Sequence, residues 1–209
     1  MSFSSFGVPD PRNKFSGWYQ SLSGSAILGA ISAVGGALAI FSSVTLLTDL
    51  ASVGNSNEPV VLGAMLGLLA FGVANMWFTI SLMGFGFRTA QFAKARGVKL
   101  RLSPGWAIGG WFIPFASLVL PYLVLKDVAG LGSQQAAERQ RSVLSFWIWW
   151  ILLSNLTSVG LQWVVSNNVS EQLNGWKLFA ASLAFFIVPF MMGRKVFSQI
   201  NDDLKSLIV

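Results

Sequence analysis

The chain reads as an all-α integral membrane protein, with four transmembrane helices, one proline-broken re-entrant or interfacial helical element, and both termini cytoplasmic. Three observations predict this. Hydrophobic residues make up 54% of the 209 positions and charged residues only 11%, against roughly 25% charged in a soluble domain. So few charges cannot cover a water-soluble fold of this size, and lipid must cover part of it. Four apolar stretches approach or exceed the ~20 residues that a spanning helix needs. Thirteen of the fourteen Lys and Arg residues fall on one side of the membrane in the threading that follows.

Residues 1–20 are polar and interrupted by Pro9 and Pro11. They read as a short, weakly ordered cytoplasmic leader, not a cleavable signal, because the apolar run behind them is long enough to span and stay. Trp18 and Tyr19 are the interfacial anchors expected before the first span. A single helical domain over 21–195 follows, with spans at about 23–47, 59–84, 142–165 and 178–193. The last of these is short unless Trp176 and Lys177 snorkel outward at its head. The basic stretch from Arg88 to Arg101 continues span two as a helix until Gly97 ends it. Residues 196–209 form an amphipathic cytoplasmic tail, with Val196, Ile200, Leu204 and Leu207 or Ile208 at helical spacing. Its apolar face is expected on the membrane surface or on a partner.

A fifth apolar stretch, from Pro104 to Leu125, has two readings. If it does not cross, only Lys177 among the cations lies outside; if it crosses, the split is eight to six and the positive-inside bias vanishes. Its internal punctuation agrees with the first. Ser103-Pro104 reads as an N-cap followed by a proline in the first turn, and Pro114 and then Pro121 each remove a backbone donor. The pieces between prolines are ~15 Å or less as helix, too short for a ~30 Å core. The element at 104–122 is therefore expected to be re-entrant or interfacial and to pack inside the bundle, since non-helical backbone at that depth must be buried or wetted. The alternative is an ordinary kinked fifth span.

This segment also carries a resemblance. The run Ser103-Pro104-Gly105-Trp106-Ala107-Ile108-Gly109-Gly110-Trp111-Phe112-Ile113-Pro114-Phe115-Ala116-Ser117-Leu118, with Pro121-Tyr122, resembles the signature of a bacterial membrane family catalogued as domain of unknown function 4328. Arg88, Ala93, Gly97, Leu100 and Arg101 match the family pattern before it, and the Trp-rich helix with Asn155 matches the pattern after it. The similarity covers roughly residues 20 to 195. Ser117 stands where the family has asparagine, Phe92 replaces another such position, and Ala129 sits near an expected tryptophan. The resemblance implies the architecture and a place in the bacterial inner membrane; it implies no activity.

The candidate residues follow from what the chain lacks and where its polar groups fall. It has no Cys and no His, which excludes disulfides, thiolate and imidazole metal sites and His-based acid–base catalysis. The spans hold no Asp, Glu, Lys or Arg, the usual mark of proton relays and ion pathways. Asp202 with Asp203, and Asp49 with Glu58, read as solvated loop charge. No catalytic residue, metal ligand or cofactor is expected, and the chain is read as a non-enzyme. Ser25, Gly29, Ala33 and Ala37 in span one, and Gly63 and Gly67 in span two, are small faces suited to close helix packing, within the chain or between copies.

Pro114, Ser117 and Asn155 are the candidate lining of a small polar cavity, where the start of a second half-helix would favour an anion. Arg88, Lys94, Arg96, Lys99 and Arg101 are the candidate contacts to anionic lipid headgroups. Trp147, Trp149 and Trp150 are expected as interfacial anchors, with at least one of them meeting lipid or a partner. The net charge of +6 sits in loops and tails, which points to lipid and not to nucleic acid. The expected role is a structural or accessory subunit that oligomerises or joins a larger membrane complex. The alternative is a small channel or carrier using the element around Pro114 to Ser117.

Overall fold

The computed structural model describes residues 12–50, 58–113, 115–131, 135–164 and 169–207, with side chains over the same ranges less 12–16, 42–64, 169 and 171–173. Among the described residues every regular element is helical: α1 (Arg12–Leu50), α2 (Glu58–Ala95), α3 (Trp106–Gly109) running into a 3-10 turn (Gly110–Phe112), α4 (Ala116–Ala129), α5 (Ala136–Val164), α6 (Val169–Phe185) and α7 (Ile187–Ser206). Four segments are long and apolar enough to cross a membrane: Gly17–Phe41, Met65–Ala95, Ala136–Val164 and Asn174–Ser206. The chain is a multi-pass membrane protein by length and composition.

The boundaries have local causes. The described part of α1 begins at Arg12, so residues 12–20, expected in the weakly ordered leader, are helical; residues 1–11 lie outside the described residues. Pro59 stands in the first turn of α2, where its missing N–H costs nothing. The end of α2 is a glycine cap. Gly97 takes φ +77, its N–H donates to the Lys94 carbonyl at 3.0 Å, and the Val98 N–H donates to the Ala93 carbonyl at 3.1 Å. This pair of reversed bonds satisfies the last carbonyls of the helix in a conformation that glycine adopts without strain.

The last span is not confined to 178–193. It runs through α6 and α7, broken only at Phe186. Pro189 explains the break, since it cannot donate to the Phe185 carbonyl; the Phe186 N–H instead reaches the Leu183 carbonyl at 3.0 Å. The tail is a continuation of this helix, and Val196, Phe197, Ile200 and Leu204 are buried in the chain itself. Val196, Ile200 and Leu204 of the expected apolar face are therefore covered, while Leu207 is exposed and Ile208 lies outside the described residues.

The chain divides into two compact units. The first, here the aromatic unit, comprises Ser23–Thr79 and Leu144–Lys195. Its core is a run of rings. The Phe78 centroid lies 5.1 Å from both Trp150 and Phe190, Phe71 meets Phe186 at 5.3 Å, and Phe146 meets Trp150 at 5.9 Å. The two edge-to-face pairs among them, Phe78–Phe190 and Phe71–Phe186, add to simple area burial. Trp147 and Trp150 are thus core residues, not interfacial anchors, and Trp149 is the exposed member of the three. Glycines admit the rings and helices. A Cβ on Gly29 would stand 2.5 Å from Phe190 Cζ, one on Gly67 3.0 Å from Gly36 Cα, and one on Gly160 2.9 Å from the Phe179 nitrogen.

The second, the polar unit, comprises Met1–Leu22, Ile80–Val143 and Val196–Val209. Phe85 and Phe197 form its ring pair, at 5.5 Å, and Trp18 packs onto the backbone of Gly84 instead of standing free as an anchor. Around this small apolar centre the fastenings are polar. Ser21 Oγ lies 2.8 Å from Ser81 Oγ, Arg96 donates to the Leu207 carbonyl at 2.6 Å, and Arg139 pairs with Asp203 at 3.0 Å.

Candidate functional site

The most distinctive local structure is the hairpin of α3 and α4. Its entry differs from a capped start. Gly105, not Ser103, occupies the N-cap and makes no side-chain bond, while Ser103 contributes its carbonyl to the Trp106 N–H at 3.0 Å. The limbs touch closely. A Cβ on Gly110 would stand 2.9 Å from Leu120 Cβ and 3.2 Å from Pro121 Cδ, so glycine is required there. Pro121 does not break the element; it is buried within α4, which continues past residue 122 to Ala129. One lost ladder bond near the start of a helix is tolerated when the ring packs against the facing limb.

The reversal comes at residues 113–115. Ile113 is extended, φ −105 and ψ 119, as the steric demand of the following Pro114 requires. Phe115 then takes φ 62 and ψ −39, a strained conformation for a bulky residue that costs about 1–3 kcal/mol. Phe115 is 86% exposed and Phe112 74%. The tip is thus not packed into the chain, contrary to the expectation for a re-entrant element. The base is polar: Arg101 Nε lies 3.3 Å from Asp127 Oδ1, the Arg101 N–H donates to Asp127 Oδ2 at 3.0 Å, and Lys126 lies over the Tyr122 ring at 5.8 Å.

Of the proposed cavity residues, Pro114 lies outside the described residues. Ser117 is half-buried in α4, with its N–H donating to the Ile113 carbonyl at 3.0 Å. Asn155 is exposed on α5 and its amide donates to the Ile151 carbonyl one turn back, at 2.8 Å. Thr79, Ser154 and Ser158 make the same backward bond to their own helices. Such bonds satisfy a hydroxyl or amide in an apolar setting with no partner helix. The clearest polar contact between helices in the aromatic unit is Thr157 Oγ1, 3.1 Å from Ser182 Oγ.

The small-residue faces are occupied within the chain. Ser25, Ala33 and Ala37 are buried, and Gly29 receives Phe190. Gly67 meets Gly36, a residue outside the four-residue stripe. The side-chain surroundings of Gly63 lie outside the described residues. Of the basic group, Arg88 donates to Gln91 at 3.2 Å, Arg96 is held by the Leu207 carbonyl and the Phe92 ring, and Arg101 by Asp127. Lys94 and Lys99 are exposed.

Sequence reading missed Asn201. It is 1% exposed, and its Oδ1 has no partner. The spacing Phe197, Asn201, Leu204 could have placed it on the buried face of α7. Among the described residues no three His, Cys, Asp or Glu side chains converge as a metal site.

Comparison with known proteins gives one result at the level of family. Residues 45–202 match the family described as Domain of unknown function (DUF4328). The match begins near the end of α1, later than the resemblance suggested, and extends into the distal half of α7. No curated protein and no solved structure matches the chain. With the matched region covering the hairpin and three of the four spans, the chain belongs to the DUF4328 family.

Proposed function

We infer that this protein is a non-catalytic membrane scaffold, an accessory subunit that associates with a larger membrane complex through surfaces other than its small-residue faces. The carrying observation is the filled interior of the aromatic unit. Phe78, Phe146, Trp150, Phe186 and Phe190 occupy the core in mutual contact, and Thr79, Ser154 and Ser158 turn their hydroxyls onto their own helices. A water-filled conduit needs polar groups converging on a wet path; a scaffold is served by a dry, rigid one. This supports the accessory reading over a channel or carrier built on residues 114–117.

In this reading the protein resides in the bacterial inner membrane with both termini cytoplasmic and the α3–α4 hairpin re-entrant from the cytoplasmic side. The distribution of Lys and Arg supports that orientation. Single cysteines at Lys99 and Gln135, which flank the hairpin, are expected to label from the same side, and one at Asn174 from the other. Labelling of Lys99 and Gln135 from opposite sides means that the hairpin crosses. Gentle extraction of the tagged protein and native mass measurement test the role: stoichiometric co-purifying subunits are expected. A pure homo-oligomer that passes ions in liposomes sinks the accessory reading in favour of a conduit.

A further inference from the structure

The α3–α4 hairpin carries a surface that a scaffold role does not by itself explain. Its limbs are in fixed register, with Gly110 facing Leu120 and Pro121, and with Ala107 and Leu125 both approaching Gly86 of α2. Ordered along that register, the side chains grade from charged to aromatic. Arg101, Lys126 and Asp127 stand at the base, and Trp106 and Tyr122 come next. Ile108, Val119 and Leu118 follow, each more than a third exposed, and the tip ends in Phe112, Ile113 and Phe115. The opposite face of α4, from Pro121 to Val128, is buried in the chain. This order is the one that transmembrane segments show from phosphate plane to hydrocarbon.

Length agrees with it. From Lys126 back to Ala116 the helix spans about 15 Å, half of a ~30 Å hydrocarbon core. Non-helical backbone in hydrocarbon must find its partners within the protein, and the tip meets part of that demand locally. Pro114 has no N–H, and the Ser117 and Leu118 N–H groups donate to the Ile113 and Phe115 carbonyls at 3.0 and 3.2 Å. Finally, Phe115 holds a bulky ring almost fully exposed on a strained backbone, an arrangement unfavourable in water and suited to an apolar surrounding.

We propose that the hairpin is a one-leaflet lipid wedge. Its tip lies among acyl chains near the bilayer midplane, its base lies at the phosphate plane, and lipid, not protein, covers its exposed face. The exposed Lys94 and Lys99, at the end of α2 and in the loop that leads to the hairpin, add positive charge that draws the base to anionic headgroups. The proposal rests on the re-entrant reading and adds what meets the tip.

The chain has no native cysteine, so the test is direct. Full-length Phe112→Cys, Phe115→Cys and Ser103→Cys proteins are labelled with an environment-sensitive NBD fluorophore. They are reconstituted alone in vesicles of phosphatidylcholine and phosphatidylglycerol. Quenching is read with lipids spin-labelled at the headgroup or near the acyl-chain end, and with iodide in the water. The wedge predicts at least twofold stronger quenching by the acyl-end label at positions 112 and 115, the reverse at 103, and iodide quenching at 103 alone. Iodide quenching at the tip, or a tip shielded from both lipid labels, overturns it. Phe112 lies outside the strained position and carries the readout if Phe115→Cys shifts the turn. Sidedness at Lys99 and Gln135, measured in the same vesicles, separates the two failures. Opposite sides refute re-entry and the wedge with it, whereas same-side labelling with an unquenched tip refutes the wedge alone.

Discussion

The aromatic unit and the polar unit are built from the same long helices by different means. In the first, rings and bare backbone make the contacts, and most hydroxyls bond only to their own helix. In the second, a small apolar centre is ringed by long-range polar fastenings, among them Ser21–Ser81, Arg96 with the Leu207 carbonyl, and the pairs Arg101–Asp127 and Arg139–Asp203. On the proposed threading, the difference has a cause in solvent. Where hydrocarbon surrounds a helix, apolar side chains gain nothing by leaving it, and only close packing discriminates one arrangement from another. Where water is at hand, charged groups can pair without a large desolvation cost.

The comparison can be broken by substitution, and the largest effect is expected in the rings. Phe190→Ala removes contacts with Phe78, Trp150 and Phe186 and should destabilise by about 3–5 kcal/mol, read from reversible unfolding in mixed micelles. Gly160→Val forces a side chain against the Phe179 backbone and should cost about 2–3 kcal/mol, because a backbone cannot yield as a side-chain tip can. Arg139→Met breaks a partly buried pair with Asp203 and should cost about 1–2 kcal/mol, between the exposed and buried limits. Arg101→Gln acts on a largely exposed guanidinium and should change stability by about 0.5 kcal/mol or less.

Salt sharpens the contrast. High ionic strength should erase most of the difference between Arg101→Gln and wild type, and leave the Phe190→Ala deficit unchanged. If Arg139→Met proves as costly as Phe190→Ala, the two units do not differ in the way described.

Much of the fold was legible. The four spans followed from run length, the cap at Gly97 from its place after a basic helix end, and the reversal near Pro114 from proline placement. Other features were legible in kind but not in detail. Small residues at four-residue spacing announced close packing, yet Gly29 receives a phenyl ring while Gly36, off the stripe, meets Gly67. Spacing along one helix reports which residues share a face, but not what arrives there. Trp150 and Trp18 misled for a related reason: tryptophan near a membrane boundary suits either an interface or a core, and only tertiary contacts decide. Asn155 stood out in the sequence because an amide in lipid needs a partner, and its own helix supplies one for the amide nitrogen.

The glycine contacts also imply an order of events during synthesis. Gly36 and Gly67 lie on the first two spans, so α1 and α2 can settle into register while the hairpin is still unmade. Gly29, by contrast, leaves a slot on α1 that Phe190 of the final span fills. The first pair acts as a template and the last helix as a latch, and a chain halted before α7 is expected to keep α1 open to degradation or to an insertion chaperone.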